Sequence, residues 1–207
     1  MTDPKQGDAA RLESLWEGRF GDEYTDRNAQ VGASRGPFWT SLLARYPIQT
    51  VLEVGCNLGA NLRWISSVLP GRQVYGVDVN ESAVRKVRAD LPDVNAVWSK
   101  ARDLPFRDGF FDLAFTAGVL IHQSPDALPI VMSQIVRCSG RFVLAAEYFA
   151  EQTTEIPYRG QAGALYKDDY GGLYQKSHPR LNLLEKGFLS RADGWDDVTW
   201  WLFEKAG

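Results

Sequence analysis

One stretch of the chain, Glu53 to Asn61 (EVGCNLGAN), combines an acid, two glycines and several short polar side chains. Gly55 and Gly59 allow a tight turn and let a ligand approach the backbone. The dinucleotide fingerprint G-x-G-x-x-G is absent, because Asn57 replaces the middle glycine and the third glycine is missing. The stretch predicts a ligand-binding turn that is poorly suited to a pyrophosphate. The alternative interpretation is a turn in which the glycines are needed only for steric reasons.

An acidic residue follows at the end of the next apolar segment. Asp78 lies 23 residues after Gly55, and an acid in this place can accept hydrogen bonds from both hydroxyls of a ribose. The alternative is a surface acid or a charge at a helix start. Together with the first turn, Asp78 favours a ligand that contains a nucleoside.

His122 is one of two histidines and follows the fourth apolar segment. An imidazole with an ordinary pKa near ~6.5 can take a proton from an alcohol or an ammonium group. The second, His178, lies in a polar stretch where solvation is expected. A structural role is the alternative for His122.

Tyrosines and basic side chains recur in pairs on both sides of the central segments. The pairs are Tyr24 with Arg27, Tyr158 with Arg159, and Tyr166 with Lys167. Guanidinium or ammonium groups beside phenolic hydroxyls are suited to binding an oxyanion. The alternative is that the tyrosines pack and the cations remain solvated. The three pairs favour a small anionic acceptor.

Strand-like and helical patterns alternate over the segments that must position these residues. Strands are predicted at 50–54, 73–79, 96–99, 111–116 and 141–148, and helices at 38–46, 59–69, 81–91 and 126–137. Asn80 is expected to cap the third of these helices. Weak helical periodicity covers 165–175, and 181–188 with 198–204 predict a closing β-hairpin. The pattern predicts an α/β fold with a doubly wound, mostly parallel, Rossmann-like sheet.

Composition narrows the class of protein. Of the 207 residues, 44% are hydrophobic, which excludes disorder of the whole chain. The net charge of −3 disfavours a nucleic-acid partner. Cys56 and Cys138 cannot form a disulfide framework, and with only two histidines they provide no metal-ligand set. The longest apolar stretch, Leu113–Ile121, is too short to span a membrane, and no signal-peptide pattern begins the sequence. We expect a cytoplasmic protein with no membrane partner.

A single domain is predicted, in four parts. Residues 1–36 form a helical lid, 37–150 a binding core, 151–180 an insertion on the acceptor side, and 181–207 the hairpin. The glycine-punctuated lid is expected to order over the bound ligand and exclude water.

Three consecutive motifs carry a resemblance to a known family. The motifs are Asp103–Phe106 (DLPF), Phe111–Thr116 (FDLAFT) and Ala117–His122 (AGVLIH). Together with the acids Glu53 and Asp78, they resemble class I S-adenosylmethionine (SAM)-dependent methyltransferases over residues 50–150. The resemblance implies a seven-stranded sheet with an antiparallel C-terminal hairpin strand, SAM as cofactor and S-adenosylhomocysteine (SAH) as product.

The resemblance also implies residue roles. Glu53 and Gly55 would lie beside the methionine part and Asp78 at the ribose. Other implied contacts are Ala101 and Arg102 at the adenine, and Thr116 and Ala117 at the sulfonium. The remaining cofactor-binding candidates are Cys56, Asn57, Asn61, Val79 and Gly118. The sequence departs from the family pattern at the adenine contacts, because Lys100 lies where many relatives have an acid.

Motifs outside this core resemble a smaller subgroup. They are WEG at 16–18, FGDEY at 20–24, RN at 27–28, LEVGCN at 52–57, GVLIH at 118–122, AEYF at 146–149 and EIPYRG at 155–160. The subgroup includes methylases associated with pseudaminic acid biosynthesis and the phosphonate O-methyltransferase of dehydrophos biosynthesis.

The leading hypothesis is an O-methyltransferase for a small anionic metabolite, with a phosphonate oxygen in natural-product biosynthesis as the first candidate. His122 would be the catalytic residue, and the acceptor would contact Tyr24, Arg27, Tyr158, Arg159 and Lys167. The alternative acceptor is a hydroxyl or amine of an activated sugar, with His122 as the base. Two other classes are a nicotinamide oxidoreductase, disfavoured by Asn57, and a SAM-binding module without catalysis.

Overall fold

The computed structural model describes residues 4–27 and 34–206. The helices are α1 (Pro4–Glu17), α2 (Arg19–Arg27), α3 (Gly36–Arg45), α4 (Ala60–Ser66), α5 (Glu81–Asp90), α6 (Leu128–Cys138) and α7 (Tyr170–Ser177). The strands are β1 (Val51–Val54), β2 (Val74–Asp78), β3 (Asn95–Trp98), β4 (Phe111–Ala117), β5 (Ser139–Glu147), β6 (Thr154–Glu155), β7 (Tyr166–Lys167), β8 (Leu181–Leu189) and β9 (Val198–Lys205).

Within the described residues, seven strands form one sheet in the order β3-β2-β1-β4-β5-β9-β8. The strands β1 to β5 are parallel, and β9 inserts antiparallel between β5 and β8. The predicted α/β class, the mostly parallel sheet and the closing hairpin are confirmed. Strand order reverses between β1 and β4, which is where ligands bind in open α/β sheets.

Apolar side chains cover the sheet on both faces. All four residues of β1 are buried, as a strand between two helical layers requires. One face packs against Trp39 of α3 and Leu62 of α4, and the other against Ile135 of α6 and Tyr174 of α7. This burial fixes the carboxyl ends of the strands, where the polar loops begin.

Local signals set the helix starts near those loops. The Asn80 side chain accepts a hydrogen bond from Ala83 N at 2.8 Å, so it caps α5 as predicted. Gly59 precedes α4 with a φ of +70°, a left-handed conformation that favours glycine.

The weak helical pattern over 165–175 is only partly correct. Its first residues pair with β6 as strand β7, and the helix begins later, at Tyr170. The reason is local: the Asp169 side chain accepts from Gly172 N, which fixes the helix start.

The N-terminal part contains the expected helical pieces, α1 and α2. Residues 28–33 of the predicted lid, including Asn28 of the RN motif, lie outside the described residues. None of the described helices is both long enough and apolar enough to cross a membrane.

Candidate active site

A cavity of about 340 Å³ lies at the carboxyl ends of the parallel strands, within the size range of small-molecule sites. Most of the residues predicted to bind ligand line it. They are Glu53, Gly55, Cys56, Asn57, Asn61, Asp78, Val79, Ala101, Arg102, Ala117, Gly118, Tyr24, Arg27, His122, Tyr158 and Arg159. Thr116 is fully buried in β4 and, like Lys167, is not among the residues that line the cavity.

The turn after β1 approaches the cavity with its backbone. Gly55 has a φ of +75°, and a Cβ there would come within 2.4 Å of Val119 Cγ2. Asn57 adopts a φ of +44°, which asparagine tolerates better than most residues. Its Oδ1 accepts a hydrogen bond from Thr25 Oγ1 of α2 at 3.0 Å, so the turn also contacts the N-terminal helices.

Glu53 ends in a buried polar network beneath this turn. Asn61 Nδ2 donates to Glu53 Oε1 at 2.6 Å, and Asn61 Oδ1 accepts from Arg35 and Trp39 at 3.2 Å each. The second oxygen, Glu53 Oε2, has no hydrogen-bond partner within the described residues. Burial raises the pKa of Glu53 to about 8. In the ionised carboxylate this oxygen can accept from a ligand group that donates, such as an ammonium group, whose positive charge favours the ionised form.

Asp78 is oriented by backbone amides. Asn57 N and Asn80 N each donate to its carboxylate at 2.8 Å. Burial raises the pKa of Asp78, and these amides oppose the rise. Because a carboxylate offers about four lone-pair sites, acceptor capacity remains for a vicinal diol.

The loop after β3 faces helix α1 across the cavity. Lys100 and Arg102 both form ion pairs with Glu13 of α1. Glu13 lines the cavity and was not predicted from the sequence, because no local pattern marks a pair separated by 87 residues.

His122 ends a short 3₁₀ turn after β4 and is 8% exposed. Its Nδ1 lies 2.7 Å from the carbonyl oxygen of Ala164. A carbonyl only accepts, so Nδ1 carries the hydrogen and Nε2 keeps an acceptor lone pair. Burial lowers the pKa of His122 to about 4. The ring also packs 4.4 Å from the Trp16 ring, centroid to centroid, so a neutral imidazole is held between the core and α1.

Glu147, at the end of β5, holds the segment that carries His122. Its carboxylate accepts from Val119 N at 3.0 Å and from Ile121 N at 3.4 Å. The side chain is fully buried, and burial raises its pKa to about 7. An acid that ends an apolar strand is the sequence signal that could have identified it.

Both tyrosine–arginine pairs predicted to bind the acceptor, Tyr24 with Arg27 and Tyr158 with Arg159, line the cavity. Arg159 and Gly160 have φ values of +49° and +75°, and Gln161 N donates to Tyr158 O at 2.9 Å. This is the pattern of a two-residue β-turn with both central residues left-handed. An arginine in that conformation costs about 1 kcal/mol or more and is typical of functional sites.

Lys167 occupies a different place. Its Nζ lies 5.7 Å from the centre of the Tyr148 ring, because the pairing of β7 with β6 sets the direction of the side chain. The structure therefore gives no support for direct acceptor binding by Lys167.

The sequence does not predict several of the residues that line the cavity. Arg35 is buried, donates from Nε to Gly194 O at 2.9 Å, and lies 4.3 Å over the Trp195 ring. Asp196 and Tyr148 line the same side. These residues come from distant segments that only the fold brings together. Within the described residues, no group of three or more His, Cys, Asp or Glu side chains could hold a metal ion.

Residues 51–139 match the family model described as a methyltransferase domain. The matched segment makes up less than half of the chain and is similar to methyltransferase domains. The match covers β1 to the start of β5 and includes the turns around Gly55, Asp78 and Ala117.

Curated relatives resemble slightly less than half of the chain. The uncharacterized methyltransferase sll0829 of Synechocystis is 32% identical over 95 residues, which cover 46% of this chain and 44% of the relative. The O-methyltransferase resE of Aspergillus sclerotiorum is 27% identical over 104 residues, 47% of this chain and 39% of the relative. The chain spans less than half the length of these relatives.

Solved structures share the fold. The 1,6-didemethyltoxoflavin-N1-methyltransferase of Burkholderia thailandensis, bound to SAH, has a TM-score of 0.77 at 16% identity and covers 100% of this chain and 92% of that one. The magnesium protoporphyrin IX methyltransferase of Synechocystis, with bound SAH, has a TM-score of 0.69 at 11% identity, covering 95% and 99%. The sheet is that of a class I methyltransferase.

Proposed function

We propose that this chain transfers the methyl group of SAM to an oxygen of a small anionic acceptor, with a phosphonate oxygen as the first candidate. The observation that carries the proposal is the position of His122. Its neutral imidazole shares one cavity with Asp78, with the turn at Gly55 and with the Arg27 and Arg159 side chains. The phosphonate candidate also draws on the resemblance to the smaller subgroup.

The cofactor side of the cavity suits SAM on three counts. Gly55 leaves room at the backbone, Asp78 can accept from the ribose hydroxyls, and Glu53 Oε2 can accept from the ammonium group. The buried Arg35 guanidinium, which also lines the cavity, offers a partner for a carboxylate. When bound, SAM supplies an electrophilic methyl group on its sulfonium.

The acceptor side provides cations and hydroxyls for an oxyanion. Arg27 and Arg159 are exposed residues that line the cavity, so they can meet a charged acceptor at its entrance. Tyr24 lies deeper, and burial keeps the pKa of its phenol well above the usual value, so it remains a hydrogen-bond donor. These groups align the acceptor oxygen, and alignment alone can account for several kcal/mol of barrier lowering.

His122 acts at the acceptor oxygen through Nε2. The oxygen that takes the methyl group is unprotonated and needs no base. In a phosphonate monoanion a second oxygen carries a proton, and His122 orients the acceptor by packing and by accepting from that oxygen. Glu147 holds the segment that presents the ring. The helices α1 and α2 cover both ligands, and we propose that they form a lid that excludes water.

One observation favours a second candidate, the hydroxyl or amine of an activated sugar. The unprotonated Nε2 of His122 is ready to take a proton from such a group. Asp196 also lines the cavity, and a carboxylate can accept from a hydroxyl or an ammonium. In this case His122 is the general base.

The test is SAH release from SAM across a panel of phosphonates, phosphate monoesters, carboxylates and nucleotide-activated amino sugars. Turnover confined to phosphonates or similar oxyanions supports the first candidate. Turnover confined to sugars replaces it with the second. Release with no acceptor present is the control, and an absence of turnover on every compound contradicts both candidates.

A further inference from the structure

We propose that Glu13 of α1 recognises the 6-amino group of the cofactor's adenine. The inference rests on the proposed use of SAM and goes beyond it, because it assigns base recognition to a residue outside the matched domain of residues 51–139. It follows from the order of the strands, from the contacts of the Glu13 carboxylate and from its burial.

The sheet order decides where the base lies. Asp78 ends β2, the Gly55 turn follows β1, and the acceptor groups lie beyond β4. With the ribose at Asp78 and the methionine part at Gly55, the base must lie on the opposite side of β2, over the loop that follows β3. Residues 99–102 of that loop line the cavity, and so does Glu13 from the facing helix.

The Glu13 carboxylate is held by two cations and keeps one acceptor position. Lys100 Nζ donates to Oε2 at 3.1 Å and Arg102 Nη2 donates to the same oxygen at 2.9 Å. Arg102 Nε pairs with Oε1. A carboxylate has about four lone-pair sites, and three are occupied by these contacts. Within the described residues the fourth site, on Oε1, has no partner and is open to a ligand.

The chemistry of that position selects an amine. The 6-amino group of adenine donates a hydrogen bond, whereas a 6-oxo group presents an acceptor to a carboxylate that can only accept. The Glu13 side chain is 18% exposed, so water replaces a missing partner poorly. A site built around a hydrogen bond discriminates strongly against an analogue that lacks the matching group.

The test compares the binding of SAH and of S-inosylhomocysteine, in which the 6-amino group is replaced by a 6-oxo group, by calorimetric titration. We expect the wild-type protein to prefer SAH by on the order of 100-fold. The preference should fall below about tenfold in Glu13→Ala. In Glu13→Gln it should fall too, because the amide can donate to the 6-oxo group.

Glu17→Ala is the matched control, since Glu17 is an exposed acid one turn further along α1, and it should keep the wild-type preference. Circular dichroism melts establish that each variant is folded. If Glu13→Ala weakens the binding of SAH and of S-inosylhomocysteine by the same factor, Glu13 only holds α1 in place. The inference is then overturned. If the wild-type protein binds neither ligand, the proposed function fails and the inference fails with it.

Discussion

The two sides of the cavity are built by different forces. On the cofactor side, the loops at Gly55 and Asp78 follow strands buried between two helical layers. Opposite these loops, α1 and α2 cover the cavity. The Trp16 ring packs against His122, and polar contacts join Glu13 to Lys100, Thr25 to Asn57 and Asp26 to Lys86. Exposed ion pairs contribute only about 0–1 kcal/mol each.

This difference separates the rigid part of the site from the part that can open. Burial of apolar strands holds the cofactor loops, whereas water can replace the polar contacts of α1 and α2 one by one. We therefore expect substitutions on the cofactor side to change SAM binding. Substitutions on the acceptor side should change the KM for the acceptor. Substitutions at His122, where the two sides meet, should change kcat.

The largest effect is expected at His122, where the two sides meet. His122→Ala should lower kcat by about 10²–10⁴-fold if the imidazole is the base, and by less if it only orients an anion. The affinity for SAH should change little, because His122 lies away from the ribose and methionine contacts. His178→Ala is the control, since this histidine lines no part of the cavity. Wild-type kcat in His122→Ala would remove the residue from the mechanism.

The next effect is expected on the cofactor side. Asp78→Asn replaces a carboxylate by an amide that accepts at only one atom, so SAH affinity should fall by about 10–100-fold. The acceptor KM at saturating SAM should stay close to the wild-type value. Asp90→Asn, an exposed acid at the end of α5, serves as the control in the same calorimetric titration. Equal loss in both variants would contradict the ribose assignment.

A smaller effect is expected at the turn on the acceptor side. Arg159→Gly should raise the KM for an anionic acceptor by about tenfold, the range of one charge-assisted hydrogen bond. Its stability should hold, because glycine accepts the left-handed backbone without strain. Lys167→Ala should leave the KM unchanged, since Lys167 is not among the residues that line the cavity. A KM that rises equally in both variants, or in neither, would contradict the anion-binding role of Arg159.

The last effect concerns the stability of the cofactor side as the pH changes, and it leaves binding and turnover aside. Burial raises the pKa of Glu53 to about 8, so between pH 4.5 and 8 the unfolded chain releases a proton that the folded protein retains. The free energy of unfolding must then fall as the pH rises through this window. Glu53→Gln cannot titrate, so its urea-unfolding free energy should decline less between pH 5 and pH 8.

Glu81→Gln, at an exposed position on α5, should keep the wild-type decline. If Glu53→Gln declines as steeply as the wild type, the carboxyl of Glu53 does not hold a proton in the folded protein.

Much of the cofactor side could be predicted from the sequence because its signals are local. An apolar run followed by glycine predicts β1 and its turn, and the Asn80 cap predicts the start of α5. The same signals place Asp78 at the end of β2. Each of these features depends on neighbours a few residues away in the chain.

The contacts of α1, Arg35 and Lys167 could be predicted less well because they are long-range or depend on strand pairing. Glu13 finds its partners 87 and 89 residues away, and Arg35 contacts Gly194 across 159 residues. The sequence predicts that Lys167 contacts an anionic acceptor, but the pairing of β7 with β6 sets the direction of its side chain. Only the folded arrangement supplies that information.

The position of α1 over both halves of the cavity has a consequence for the order of events in turnover. The same helix provides Glu13 over the loop after β3 and Trp16 against His122. If cofactor and acceptor bind as proposed, α1 contacts the surroundings of both, and we expect its displacement to open both parts of the cavity together. Departure of the methylated acceptor and departure of SAH then become linked steps governed by a single opening.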